Sequence, residues 1–484
     1  MDLLKVIKLV VILLAIVAAF MLAPLGIAVA NGNDLCRNGF LLSMAAVFSC
    51  ALGLLMFSRG RKLADISKKE GFLLVGLSWL MASAVGALPF YISGAIPCYS
   101  DAYFETASGF TTTGASILTN IQALPASMLF WRSLTHWLGG MGIIVLTVAI
   151  LPLLGIGGLQ LLKAEAPGPS VDKITPRIAQ TAKILWLIYL GFTVVETLLL
   201  MAGGMDLFDA LTHTFGTLAT GGFSPKNSSV AHYGSSYIDW VITGFMVAAG
   251  VNFVLHYRLL TGRVRLLWRN TELKAYLAVL VIASAVIAGN LYGEGLYATA
   301  ADCLRYAAFQ AASILTTTGY ATADYTTWPL FAQAVLFALM FVGGCSGSTG
   351  GSIKVIRVVT LFKQGLVEMK KLLSPRGVFV LKMNGKPLKH SIVSAISGFF
   401  FLYVAIILVV TCLVAVSGQD IITALTTSLA TVGNIGPGFG RIGPADNYAF
   451  YPPAVKWLLS VAMIIGRLEI YTFLVLFTPF FWRR

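Results

Sequence analysis

Four short stretches, rich in threonine and glycine, interrupt an otherwise apolar chain of 484 residues: "DAYFETASGFTTTG", "DALTHTFGTLATG", "DCLRYAAFQAASILTTTG" and "DIITALTTSLATVG". Each starts near an acidic residue and ends at Thr or Val followed by Gly. The closing glycines, Gly114, Gly221, Gly319 and Gly433, are separated by 107, 98 and 114 residues. The chemistry on offer is oxygen without charge. A dehydrated monovalent cation exchanges its water shell for a ring of oxygens, and backbone carbonyls supply that ring without a counter-charge that would trap the ion. Glycine admits backbone conformations barred to residues with a Cβ, so four copies of one word supply four walls of one filter.

Such a filter needs elements to hold it, and composition says where they lie. Hydrophobic residues make up 57% of the chain, charged residues 11%, and the mean hydropathy is +0.84. These values describe a multispanning membrane protein. Runs long enough for a bilayer core occur at 4–30, 39–58, 72–95, 127–160, 181–204, 236–260, 273–292, 328–363, 391–417 and 453–482. The first, preceded by Lys5 and Lys8, exceeds a signal-peptide core and reads as a retained anchor. No polar stretch between spans is long enough for an enzyme domain. The six cysteines and five histidines are scattered, with no CxxC, HExxH or His-carboxylate cluster.

Lys and Arg outnumber Asp and Glu by 34 to 20 and gather on alternate loops. These are "SRGRKLADISKKE", the stretch with Lys163, Lys173, Arg177 and Lys183, "HYRLLTGRVRLLWRNTELK", Lys363 to Lys389, and Arg483 and Arg484. The positive-inside rule puts these loops and the N-terminus in the cytoplasm. The opposite loops carry Asp101, Glu105, Asp206, Asp209, Asp302, Asp324 and Asp420.

After residue 70 the spans pair around the four short segments, an internal repeat of helix, re-entrant segment, helix. The expected fold is therefore an all-α membrane protein of ten transmembrane helices. An N-terminal helix pair (1–70) precedes four pore repeats, 71–165, 166–265, 266–365 and 366–484, around one central pore. Each half-helix would aim the negative end of its dipole at the ion. Over 71–484 the chain resembles the Trk/Ktr/HKT superfamily of potassium transporters, and its extra N-terminal pair resembles the Trk type rather than the Ktr type. The resemblance implies an ion-facing backbone of Thr112, Thr113 and Gly114; Ala219, Thr220 and Gly221; Thr317, Thr318 and Gly319; and Thr431, Val432 and Gly433. None of the four spells TVGYG, so rubidium is expected to pass with potassium.

The segment "VGGCSGSTGGSIK", 342–354, makes continuous helix costly and lies under the filter by helical rise. It satisfies neither a phosphate-loop nor a nucleophile-elbow pattern. In the resembled family it is an intramembrane loop that obstructs the pore, which points to Gly343, Gly344, Ser346, Gly347, Gly350 and Gly351 as gate residues. Arg467 lies about fourteen residues into the last span, at the same depth by rise. It reads as a positive gate beside that loop, or as the partner of a carboxylate such as Glu196. Asn384-Gly385 in the basic stretch 374–390 predicts a tight hairpin. The resemblance further implies a homodimer in the bacterial inner membrane and a cytosolic, nucleotide-binding regulatory subunit of the RCK type, TrkA-like, with no organic cofactor, nucleic acid or catalytic residue on this chain. The alternative is a secondary K+/H+ or K+/Na+ symporter working by alternating access, which favours paired broken helices. The sequence leads one to expect a single broken span.

Overall fold

A computed structural model describes residues 1–57, 66–142 and 178–483. The second half of the span expected at 127–160, the basic residues Lys163, Lys173 and Arg177, much of the first basic loop, Arg484 and the repeat boundary at 165/166 lie outside the described residues. The fold is helical, with one two-stranded hairpin of Lys382–Met383 and Lys386–Pro387. Among the described residues, six helices are long and apolar enough to cross a membrane, and two further pairs do so as sharply bent units. Of the other two expected spans, the described part of one is the helix Ala126–Gly140. The other is interrupted after Leu330–Leu339 and resumes as Val355–Leu373.

The N-terminal hairpin comprises Leu3–Phe20, continued by Leu22–Ala30, and Asp34–Phe57. Its first helix buries Val6, Leu9, Val10, Leu13, Leu14 and Val17, the i, i+3, i+4 stripe of a helix with one packed face. That helix packs on both Asp34–Phe57 and Lys68–Ile92.

From Lys68 onward one plan recurs. A long helix leads to a half-helix: Tyr99–Phe110, Leu207–Ala219, Ala300–Leu315 or Ile421–Val432. At ~1.5 Å per residue, none can cross a hydrocarbon core of about 30 Å. Asp206, Thr299 and Asp420 cap three of them, accepting from the backbone N–H of Asp209, Asp302 and Thr423. An irregular strand and a single 3-10 turn follow each half-helix, and the returning helix then begins. In the first, third and fourth repeats it begins directly after a proline, Pro125, Pro329 or Pro452, whose fixed φ and missing N–H suit a helix start.

The returning helices depart from the single-break expectation. The second repeat bends by 101° between Ser236–Ala249 and Phe253–Leu260, and the fourth by 112° between Pro453–Arg467 and Tyr471–Phe477. With the interruption at 340–354, three returning spans are broken rather than one. The fourth repeat's bend places Glu469 and Ile470 at φ 53° and 62°, and a β-branched residue there is an outlier that composition does not reveal.

Candidate functional site

All four half-helices end in the same turn. Thr112, Thr220, Thr317 and Asn434 adopt φ of 54°, 54°, 60° and 53°. Each donates its N–H three residues back, to Gly109, Thr217, Ile314 or Thr431, and the next residue donates five residues back, to Ser108, Gly216, Ser313 or Ala430. This is the Schellman arrangement that satisfies a helix's last carbonyls. Two residues beyond each left-handed position stands a glycine with positive φ: Gly114 at 82°, Gly222 at 78°, Gly319 at 80° and Gly436 at 94°.

These four glycines close a cycle. A Cβ on Gly114 would strike the Gly221 carbonyl oxygen, one on Gly222 that of Thr318, one on Gly319 that of Ile435, and one on Gly436 that of Thr113. Each repeat thus packs the carbonyl just before its own glycine against the glycine of the preceding repeat, and the fourth repeat returns to the first. The Asn434 side-chain amide crosses the same seam, donating to Thr113 Oγ1 at 2.9 Å. Gly114, Gly222, Gly319 and Gly436 together line one cavity of about 120 Å³.

The geometry shifts the equivalence read from the sequence. The first and third repeats keep Thr112-Thr113-Gly114 and Thr317-Thr318-Gly319. In the second the equivalent triplet is Thr220-Gly221-Gly222, one residue later, and Ala219 is the last residue of the half-helix. In the fourth it is Asn434-Ile435-Gly436, three residues later. There Thr431 and Val432 are helical, and Gly433 caps the helix at an ordinary φ of −79°. The missed signals are the doubled glycine in "TGGF" and the asparagine of "GNIGPG", since Asn tolerates the left-handed region better than most residues.

Sequence reasoning also missed the ties behind the ring. Seven residues before the left-handed turn stands Glu105 in the first repeat, His213 in the second and Gln310 in the third. Each holds the chain a few residues beyond the ring glycine. Glu105 accepts from Ser116 Oγ and the Ile117 N–H, both at 2.9 Å. His213 Nε2 lies 2.9 Å from Ser224 Oγ, and Gln310 donates to the Ala323 carbonyl at 3.3 Å. In the fourth repeat Thr426 does this work, donating to the Phe439 carbonyl at 2.8 Å and accepting its N–H at 3.2 Å. The first tie is charged: Arg132 Nε meets Glu105 at 2.6 Å, Nη1 donates to the Ser224 carbonyl at 3.0 Å, and both side chains are buried.

On the side of the ring away from the cavity, the segment 340–354 runs as irregular backbone. The Gly351 N–H donates to Thr317 Oγ1 at 2.7 Å, and Thr349 Oγ1 donates to the Leu218 carbonyl at 3.0 Å. A Cβ on Gly351 would strike the Gly433 carbonyl, and one on Gly343 the Gly351 carbonyl. Gly344 and Gly350 are buried with Thr349, while Gly347 is exposed and takes a positive φ of 75°. Ser346 is held through its backbone N–H by Glu272. The segment therefore touches the ends of the second, third and fourth half-helices from below. Arg467 joins it to the first repeat, donating to the Thr349 carbonyl and the Gly139 carbonyl, each at 2.7 Å, and to the Gly140 carbonyl at 3.2 Å. The pairing of Arg467 with Glu196 is not made. Among the described residues, neither buried carboxylate oxygen of Glu196 has a hydrogen-bond partner. Glu469, the nearest acidic residue in sequence, pairs with Arg357.

A family described as a cation transport protein, TrkH, matches residues 40–484. The chain is 43% identical over 453 residues to the Trk system potassium uptake protein TrkH of Salmonella typhimurium, covering 92% of this chain and 93% of that protein. It is 39% identical over 488 residues to the protein of the same name from Vibrio parahaemolyticus, covering 99% of each. Its structure is similar to the crystal structure of the potassium transporter TrkH from Vibrio parahaemolyticus, with a TM-score of 0.89, 37% identity and complete coverage of both chains.

Proposed function

The chain belongs to the TrkH family of cation transport proteins, and from that premise we propose that it is the potassium-conducting membrane subunit of a bacterial potassium uptake system. Potassium is the cargo, and rubidium passes with it. The ion crosses a filter made of backbone oxygen from four repeats, built on Thr112-Thr113-Gly114, Thr220-Gly221-Gly222, Thr317-Thr318-Gly319 and Asn434-Ile435-Gly436. The observation that carries this reading is the closed cycle in which each glycine makes room for the next repeat's carbonyl. Carbonyl oxygens in a ring suit a monovalent cation that must also leave. Beneath the filter, the loop 342–354 and Arg467 form the gate, the loop by filling the path and the guanidinium by opposing a cation. The protein lies in the inner membrane with its N-terminus in the cytoplasm, works as a homodimer, and is controlled by a cytosolic RCK-type subunit acting on its basic loops.

A second reading has its own support. Bends of 101° and 112° in the second and fourth returning helices, with the interruption in the third, are the kind of discontinuity alternating-access symporters use at their binding sites. Recording single molecules in planar bilayers separates the two. Unitary potassium currents far above carrier turnover are expected. Transport that shows no unitary current and requires a proton or sodium gradient would replace the channel reading with the symporter.

A further inference from the structure

The loop beneath the filter is poorly suited to hold one shape by itself. Within 342–354 five of thirteen residues are glycine, whose conformational freedom favours many alternatives, and Ser352 is held at a positive φ of 51°. Its two ends are joined by the backbone, the Gly343 N–H donating to the Ile353 carbonyl and the Val355 N–H to the Gly344 carbonyl, and one buried atom adds a further tie. Glu272 Oε1 accepts the Ser346 N–H at 2.6 Å and the Ile356 N–H at 3.2 Å, so one carboxylate oxygen bridges the inside of the loop and the first turn of the helix Val355–Leu373. Glu272 is buried. The neighbouring cations are engaged elsewhere, Lys354 with the Gly350 carbonyl and Arg357 with Glu469.

Glu272 opens the helix Thr271–Gly293, and the residue before it is bound to the cytosolic hairpin. The Thr271 N–H donates to Asn384 Oδ1 at 2.8 Å, and the Asn384 N–H donates to Thr271 Oγ1 at 3.3 Å. Asn384 sits in the hairpin turn at φ 51°. The turn's anchor, Thr271, and the carboxylate that ties the loop, Glu272, are therefore consecutive residues.

We propose that Glu272 is a positioning residue that clasps the intramembrane loop in its closed arrangement, and that the Asn384–Thr271 bond pair carries a displacement of the hairpin to this clasp. The inference rests on the reading of the loop as the gate. A cytosolic protein that lifts the hairpin pulls on Thr271, turns the first residues of the helix, and withdraws Oε1 from the Ser346 and Ile356 amides. No contact between that protein and the pore is required.

The test uses the full chain in proteoliposomes without a regulatory subunit, with rubidium-86 uptake as readout. Losing a charge-assisted acceptor shared by two amides is expected to raise uptake about tenfold in Glu272→Ala. Glu272→Gln keeps an acceptor oxygen and rises less. A purely structural defect would lower uptake, so the sign is diagnostic. Hydrogen exchange supplies a second readout: peptides spanning 343–356 exchange faster in both variants, while those from the half-helix Tyr99–Phe110 do not. Asn384→Gly preserves the left-handed turn and the backbone N–H bond to Thr271 Oγ1 but removes the side-chain bond to the Thr271 N–H; it raises uptake about threefold alone and adds little in the Glu272→Ala background, as expected for two groups acting in series. Deleting residues 346–352 keeps the outcomes apart. If the deletion raises uptake and Glu272→Ala leaves both uptake and exchange at wild-type levels, the clasp is wrong and the gate stands. If the deletion itself leaves uptake unchanged, the gate reading falls and the clasp with it. Full multiplication of the Asn384→Gly and Glu272→Ala effects would detach the hairpin from the clasp.

Discussion

Threonine is a poor choice for a left-handed position, yet it fills three of the four that end the half-helices. A Cβ in that region costs roughly 1–2 kcal/mol per residue, and a branched one is worse. Such strain persists only where the surroundings over-determine it. Here the following amide is bound five residues back in every repeat, and Thr317 uses its hydroxyl to hold Gly351 of the loop. The glycine two positions later has no such latitude, because it combines a positive φ with a neighbouring carbonyl where its Cβ would stand. Gly319→Ser and Gly436→Ala are therefore expected to lower the potassium-to-sodium preference about tenfold or more in competition uptake, with the proteins still inserted and folded. Gly433→Ala keeps an ordinary φ and, although its Cβ would press on the Leu429 carbonyl of its own half-helix, it meets no carbonyl of another repeat; it is expected to change that preference markedly less than the other two. Equal effects at Gly433 and Gly436 would restore the register suggested by the sequence. The first and third repeats were legible because the word "TTTG" contains both the left-handed residue and its glycine. In the second the doubled glycine made the choice ambiguous. In the fourth "TVG" imitates the motif inside the last helical turn, while the working turn is spelled with an asparagine that carries no threonine signature.

Among the elements, those announced by local chemistry were legible and those fixed by distant packing were not. Half-helices follow from acidic or threonine caps and from segments too short to span. The two-stranded hairpin follows from Asn384-Gly385, which takes φ of 51° and 77° as the turn type demands. The bends near 251 and 469 have no proline and no glycine cluster like that of the loop. They arise where the helix must turn away from the segment beneath the filter, information held by other repeats. In the hairpin, period-two alternation sends Leu381 and Met383 onto the helix Val355–Leu373 and leaves Lys382 and Lys386 exposed. Those two lysines present positive charge on the exposed side of the hairpin. Reversing both to Glu should weaken binding of an RCK-type subunit about tenfold at low ionic strength, with the difference shrinking as salt screens it. Titration by surface plasmon resonance across a salt series checks this, and unchanged affinity throughout would remove the hairpin from the interface.

Taken whole, the molecule brings residues of all four repeats together below the ring, and Arg467 binds two repeats besides its own. It stands on the last repeat and binds the loop of the third at Thr349 and the end of the first repeat's returning helix at Gly139 and Gly140. Two effects of its charge act in the same direction. On the proposed reading, the three carbonyl contacts tie the loop to the first repeat's returning helix, and the guanidinium would raise the energy of a cation passing it. At an effective dielectric near 20 and a separation of about 5 Å, the second effect alone is about 3 kcal/mol, which corresponds to roughly a hundredfold in flux. Arg467→Ala should therefore raise basal rubidium-86 uptake into proteoliposomes lacking any regulatory subunit. Arg467→Lys keeps the charge but cannot reach three carbonyls with a planar fork, so it should fall between wild type and Ala. Deleting residues 346–352 should also raise uptake, and combining the deletion with Arg467→Ala should give less than the product of the two, because both remove the same closed arrangement. If Arg467→Ala and the deletion each leave uptake at the wild-type level in folded protein, the barrier lies elsewhere and the contacts of Arg467 serve only to pack the fourth repeat against the first and third.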